Sequence, residues 1–207
     1  MLNNKKSLLS IFLVIALFTG AGCSKTEKPV KESSTANSSL SDGTSNVSAS
    51  YELEYHNDTR FFKAEIEPKS DAEKVILDKF KIQINDKYDE LSKLFIDSPE
   101  FNNQSQIYKN LFDEGEYAEA ITIHSLKKLS EEEYSNNPDF ISYNFMDTIN
   151  KFNPYEFQVI EVNYTIKLTD KYASAAQWSN GNWTRDFIVV QEKENTPWRI
   201  FDIYGYH

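Results

Sequence analysis

Beyond residue 50 the apolar positions keep two different periods, and the switches between them divide the chain into elements. YELEY (51–55) and FFKAEIE (61–67) alternate apolar and polar side chains, as half-buried strands do, with His56, Asn57, Asp58 and Thr59 as turn formers between them. From Ser70 the spacing becomes helical. Leu77, Phe80, Ile84, Leu91 and Phe95 fall on one face, Tyr88 lies among them, and Ser70 with Glu73 makes an S-x-x-E capping box. One helix is predicted over about 71–96, with Pro99 closing the region. A shorter amphipathic run carries Ile107, Tyr108, Leu111 and Phe112 and ends at Gly115, a residue suited to a helix terminus. Ile and Thr then predict a strand over about 118–128. Ser130 and Glu133 repeat the capping pattern ahead of Phe140, Ile141, Phe145 and Ile149, a set that suits another helix.

The C-terminal third reads as β. In YEFQVIEVNYTIKL the apolar phase runs through Tyr155, Phe157 and Val159, then resumes at Ile160, Val162, Tyr164, Ile166 and Leu168. A period of two changes phase only through an extra residue, which predicts a β-bulge near Val159 and Ile160. WSNGNW centres Asn180 and Gly181 as a two-residue type I′ turn, so Ser179 should face Asn182 and Trp178 should face Trp183. A final hairpin joins WTRDFIVVQEK to PWRIFDIYGY through Glu194, Asn195 and Thr196.

Ahead of this domain the pattern is of another kind. Lys5 and Lys6 precede an apolar run from Leu8 to Phe18, broken only by Ser10, which reads as a secretory signal peptide. That run falls well short of the roughly 20 apolar residues a spanning helix needs. Gly20, Ala21 and Gly22 before Cys23 resemble the lipobox of bacterial lipoproteins, in which the thiol receives a diacylglyceryl group before cleavage and becomes the first mature residue. Two acyl chains hold a protein on a membrane stably where one does so marginally. Residues 24–50 are rich in Ser and Thr, lack aromatics and balance their charges, so they cannot bury enough area to offset backbone entropy. As a flexible coil they span about 28 Å, a spacer between headgroups and domain. The expected organisation is a lipoprotein signal peptide over 1–22, a lipid-anchored linker over 23–50 and a single domain over 51–207.

Composition narrows the partners. Thirty-two acidic residues against 22 basic ones leave a net charge of −10, and removal of Lys5 and Lys6 with the leader lowers it to about −12. Such a surface repels phosphate backbones, so nucleic acid is not expected as a partner. The single Cys excludes an internal disulfide and a thiolate zinc site. None of His56, His124 and His207 has a second His or a Cys at ligand spacing, and no P-loop, G-x-S-x-G or dinucleotide fingerprint occurs, so no metal and no cofactor are expected.

The order of elements, with the W-x-I pattern of PWRIFDI, resembles the nuclear-transport-factor-2-like (cystatin-like α+β) superfamily, in the small form carried by lipoproteins of low-GC Gram-positive bacteria. The resemblance covers about 70–207 and rests on element order with Trp183, Phe187, Trp198, Arg199 and Ile200. It implies an α+β fold in which N-terminal helices pack on a curved antiparallel sheet to form a cone with one mouth, a shape that serves enzymes, binding proteins and assembly parts alike.

Candidate chemistry comes from strand parity. Asp202 shares parity with Trp198, Ile200, Tyr204 and Tyr206, which places a carboxylate among aromatics. In an apolar cone such a group takes a raised pKa and serves as general acid or base, whereas partial solvation or pairing with Arg185 makes it structural. His124 alternates with Ala120, Thr122 and Leu126 and carries the same two readings. Trp178 and Trp183 form either an aromatic contact surface for a ligand or a cross-strand pair that fastens a hairpin. The candidate pocket is therefore Asp202, Trp198, Tyr204 and His124, with Cys23 as the lipidation site and no catalytic residue assigned. The expected role is a binding or accessory module on the extracytoplasmic face of the cell membrane, partnered by the membrane and by a small ligand or an envelope protein. The alternative is a pocket enzyme of isomerase, dehydratase or hydrolase type using Asp202.

Overall fold

A computed structural model describes residues 50–175 and 180–205, which lie in one compact unit, Val47–His207. Its α+β architecture is a six-stranded, mostly antiparallel sheet in which spatial order equals chain order. The strands are β1 (Glu54–Asn57), β2 (Arg60–Ala64), β3 (Ala118–Lys128), β4 (Glu156–Leu168), β5 (Gly181–Gln191) and β6 (Trp198–Tyr204). Only β2 and β3 run parallel. A parallel pair needs a crossover, supplied here by α1 (Asp71–Asn85), a 3-10 helix (Tyr88–Leu94) and α2 (Gln104–Asp113).

Local chemistry sets the element ends. The Ser70 hydroxyl caps α1 by accepting from the Glu73 N–H at 3.2 Å, while the Glu73 carboxylate reaches back to the Lys69 N–H. The helix expected over 71–96 stops at Asn85, because Asp86 turns left-handed at φ 62° and its carboxylate takes hydrogen bonds from Asn57 and Arg60. Beyond this turn the chain winds into the tighter 3-10 helix, with Tyr88 and Leu91 buried. At the end of α2, Gly115 adopts φ 81°; its N–H bonds to the Phe112 carbonyl and that of Glu116 to the Leu111 carbonyl, a Schellman closure that needs the left-handed glycine.

Between β3 and β4 the helix anticipated from Phe140, Ile141, Phe145 and Ile149 is three short ones: α3 (Glu131–Ser135), α4 (Pro138–Ser142) and α5 (Phe145–Phe152). Ser130 and Glu133 make the expected capping box for α3. Asn137 and Pro138 then start α4 afresh, and left-handed Asn144 redirects the chain into α5. Of the apolar set, Phe140, Phe145 and Ile149 are buried, whereas Ile141 is exposed.

These helices make a second core and overturn the bulge expected in β4. The first core joins Phe80, Leu77 and Ile84 of α1 to Ile121, Ile160, Val162, Phe187 and Val189 of the sheet. A second gathers Tyr134, Phe140, Phe145 and Ile149 with Val159, Ile188 and Val190. Adjacent Val159 and Ile160 are both buried because each points into a different core, and β4 pairs with β5 in unbroken register from Glu156–Gln191 to Ile166–Gly181. The bulges lie elsewhere, where the register shifts across Ala118/Ala120 and Ile123/Ser125 in β3 and across Ile188/Val189 opposite β6.

The WSNGNW hairpin is described only from Asn180 onward. After β4 comes α6 (Asp170–Ala175), and Asn182 and Trp183 pair with Thr165 and Tyr164 of β4. Asn180 closes this connection by accepting the Leu168 N–H at 2.6 Å. Trp178 lies outside the described residues. The final hairpin has the expected form, with Gln191 opposite Trp198 and a turn through left-handed Asn195.

Candidate functional site

The cavity richest in chemistry lies between the helices and the first-core face of the sheet. It holds about 190 Å³ and opens to solvent on one side. Helix α1 contributes Lys79, Phe80 and Gln83; α2 contributes Gln104 and Tyr108; strands β4, β5 and β6 contribute Tyr164, Arg185 and Asp202. Phe95 and Phe101 close one wall as a stacked pair, with centroids 4.8 Å apart and an interplanar angle of 24°. Phe80 and Tyr164 meet at 4.8 Å across another.

Lys79 reaches this cavity because α1 is buried around most of its circumference. Ile76 and Gln83, three residues before it and four after, lie on its own stripe of the helix and are buried themselves. The Lys79 ammonium stands 4.5 Å from the Phe80 ring centroid and 5.9 Å from that of Phe187. Among the described residues no carboxylate comes within salt-bridge distance of it. Lys79 keeps some accessible surface toward the cavity, yet desolvation pushes its pKa down to about 7, and the charge of Arg185 pushes the same way. Burial raises the Tyr108 hydroxyl, with the Tyr172 phenol adding to the shift and Arg185 opposing it. Asp202 is raised by burial, against hydrogen bonds from the Ile203 N–H (2.8 Å) and the Tyr204 hydroxyl. Two cationic side chains, several protonated phenols and one partly desolvated carboxyl thus share one aromatic-walled space.

Of the four pocket residues expected from the sequence, only Asp202 lines this cavity. The parity that grouped it with Trp198 fails at the β6 bulge, where Ile200 faces Val189 and Asp202 faces Ile188, leaving Phe201 as the extra residue; Tyr204 keeps the register of Asp202 and its hydroxyl bonds to that carboxyl. Ile200 therefore joins the first core while Phe201 and Tyr204 join the second. Trp198 packs against the edge of the first core, in a separate cleft with Pro197 and Leu94.

His124 is the extra residue of a β3 bulge, which turns Leu126 toward the first core and so breaks the expected alternation with it. Its Nδ1 lies 2.9 Å from Glu65 Oε2 and its Nε2 lies 2.7 Å from Thr165 Oγ1, so both ring nitrogens are engaged on the sheet surface away from the cavity. The hydrogen bond from His124 holds the Glu65 carboxyl below its ordinary range. Trp183 packs partly buried against the first core, which takes it out of the exposed aromatic surface expected of it. Cys23, the lipidation candidate, falls outside the described residues.

Sequence inspection missed Lys79, Tyr108, Tyr164 and Tyr172 as a group. Four elements bring them together. The one trace along the chain is that Lys79 shares a helical stripe with Ile76 and Gln83, Ile76-x-x-Lys79-x-x-x-Gln83. Among the described residues no cluster of His, Cys, Asp and Glu suits a metal ion, and no helix is long and apolar enough to cross a membrane.

Residues 73–203 match a family model described as "Domain of unknown function (DUF4829)". No curated protein and no solved structure matches the chain.

Proposed function

Since the chain belongs to the DUF4829 family, a domain of unknown function, its role must be argued from its own residues, and we propose an envelope lipoprotein that binds a small ligand. The domain is held outside the cell membrane by acylated Cys23, on a Ser- and Thr-rich tether. The observation that carries the binding role is the cavity: a half-open space of about 190 Å³, walled by aromatics and containing a lysine with no carboxylate partner among the described residues. A domain that served only as an inert spacer gains nothing from keeping that cation desolvated, since an apolar side chain of similar volume packs there at lower cost. Helices α1 and α2 packed on a mostly antiparallel sheet, with a cavity between helices and sheet, also support the nuclear-transport-factor-2-like reading, in which the cavity is the interior of the cone.

One observation favours the pocket enzyme as a second reading. Asp202 lines the same cavity with its carboxyl raised by burial, as a proton carrier of an isomerase, dehydratase or hydrolase requires.

The binding role is tested by thermal unfolding of the full chain against a set of one-ring organic molecules. A binder is expected to raise Tm for the parent and not for Ile166→Phe, which adds volume at the cavity wall. Absence of a shift across the whole set sinks the role. The anchor is tested separately, since Cys23→Ala should move the protein from the membrane fraction to the soluble one, and continued membrane association of the variant would refute lipidation.

A further inference from the structure

We infer that the cavity takes a small monovalent carboxylate with a ring-sized apolar body, its charge met by Lys79 of α1 and Arg185 of β5. This rests on the ligand-binding role proposed above and gives that ligand its chemistry.

Charge is the first consideration. Lys79 and Arg185 line one cavity and repel each other through it, and among the described residues the Lys79 ammonium meets ring faces and no carboxylate. An anion lodged between two like charges in a desolvated space relieves the repulsion and supplies the ammonium with an acceptor. A neutral guest does neither.

Size and wall chemistry narrow the anion. An apolar cavity of about 150 Å³ is known to hold benzene, so 190 Å³ leaves room for a single ring with one small substituent. The walls are flat and apolar where Phe80, Phe95, Phe101 and Tyr164 stand. Asp202 borders the same space, and its charge disfavours a dianion. Phosphate is thus a poor fit. Its strong hydration is not replaced by aromatic walls, and no glycine among the described lining residues lets a backbone cradle approach it.

Protonation supports the assignment. With its pKa near 7, Lys79 in the free protein is about half charged at neutral pH, and a bound carboxylate holds the proton on it. The other titratable groups facing it are Arg185 on β5, Asp202 on β6, Tyr108 on α2, Tyr164 on β4 and Tyr172 on α6. The lowered pKa of Lys79 falls between about pH 6 and pH 9, so release of its proton is expected to weaken a bound carboxylate toward the alkaline end.

The test is calorimetric titration of the full chain with benzoate, its neutral isostere benzamide, and inorganic phosphate, repeated with Lys79→Met and Arg185→Met. Benzoate is expected to bind at least about tenfold tighter than benzamide, to lose about 10- to 100-fold in Lys79→Met, and to weaken from pH 6 to pH 9 while benzamide does not. Equal binding of benzoate and benzamide, or benzoate affinity unchanged in both variants, overturns the carboxylate assignment and leaves the cavity as a site for neutral ligands. Phosphate binding tighter than benzoate overturns it in favour of an inorganic oxyanion. Failure of all three probes, together with a flat thermal-unfolding screen, overturns the assignment and the binding role with it.

Discussion

Lys79 shows how a single side chain ties stability to the cavity. Its pKa in the folded protein, about 7, lies below the ordinary 10.5. Between those values the unfolded chain holds a proton that the folded chain has released, so stability rises with pH across that window; below it the folded protein bears the desolvated charge in full. Lys79→Met should therefore stabilise the protein by roughly 1 to 3 kcal/mol near pH 6, after discounting for partial exposure, and the gain should fade toward pH 10. Urea unfolding at several pH values reads this directly, and a gain independent of pH would show that desolvation of the ammonium is not its cause. Arg60 is the opposite case, a buried cation with partners. Its guanidinium bonds to Asp86, lies 4.9 Å from the Phe112 ring centroid and 5.1 Å from that of Tyr117, and so joins β2 to the end of α1. Arg60→Met leaves Asp86 facing a methionine and should cost about 2 to 3 kcal/mol, less than a fully buried pair because Asp86 remains one-third exposed. No loss in urea unfolding would mean that the aromatic stack alone makes that joint.

At the scale of elements, capping residues decide where helices begin, and polar residues able to turn left-handed decide where they stop. Ser70 and Ser130 were legible as N-caps because their hydrogen bonds reach only three residues along the chain. The break at Asp86 was not legible, since the apolar stripe continues through Leu91 and Phe95 and the partner that favours the turn, Arg60, comes from another strand. In α3 the Glu133 carboxyl is pulled down to about 2, first by Lys127 and then by Ser130. Ser130→Ala removes one cap and should cost about 1 kcal/mol. Phe145→Ala empties the centre of the second core and should cost roughly 3 to 5 kcal/mol. Both are measurable as shifts in the urea midpoint. A smaller loss for Phe145→Ala than for Ser130→Ala would mean that α3 to α5 are a loosely attached excursion instead of a packed layer.

For the molecule as a whole, two cores share one sheet, and the central strands are covered on both faces where those cores overlap. Ile160, Phe187, Ile188, Val189 and Val190 are all fully buried. Amides of β4 and β5 in this stretch should therefore be the last to exchange with deuterium, whereas β1, a four-residue edge strand with alternating exposure, should exchange early. Faster exchange at Val189 than at Tyr55 would contradict a doubly covered centre. The same arrangement positions the candidate site, because the second core holds β4 to β6 from behind while the cavity opens on their other face.

Much was settled by the order of residues alone. The periods of strands and helices, the caps, Gly115 as a stop and the α+β class all depend on contacts within a few residues, so they can be read without knowing the fold. Even the second core left a trace: FIVV at 187–190 lacks alternation, as a strand buried on both faces does. The tertiary structure alone decided which of two adjacent apolar residues faces which core, and hence that Val159 and Ile160 need no bulge. It also placed the bulges at His124 and Phe201, which split Leu126 from His124 and Trp198 from Asp202 where parity had grouped them. Lys79, Arg185, Tyr108 and Asp202 converge because four distant segments pack on one another. A desolvated charge has no signature along the chain, since what desolvates it is supplied by residues far away in sequence.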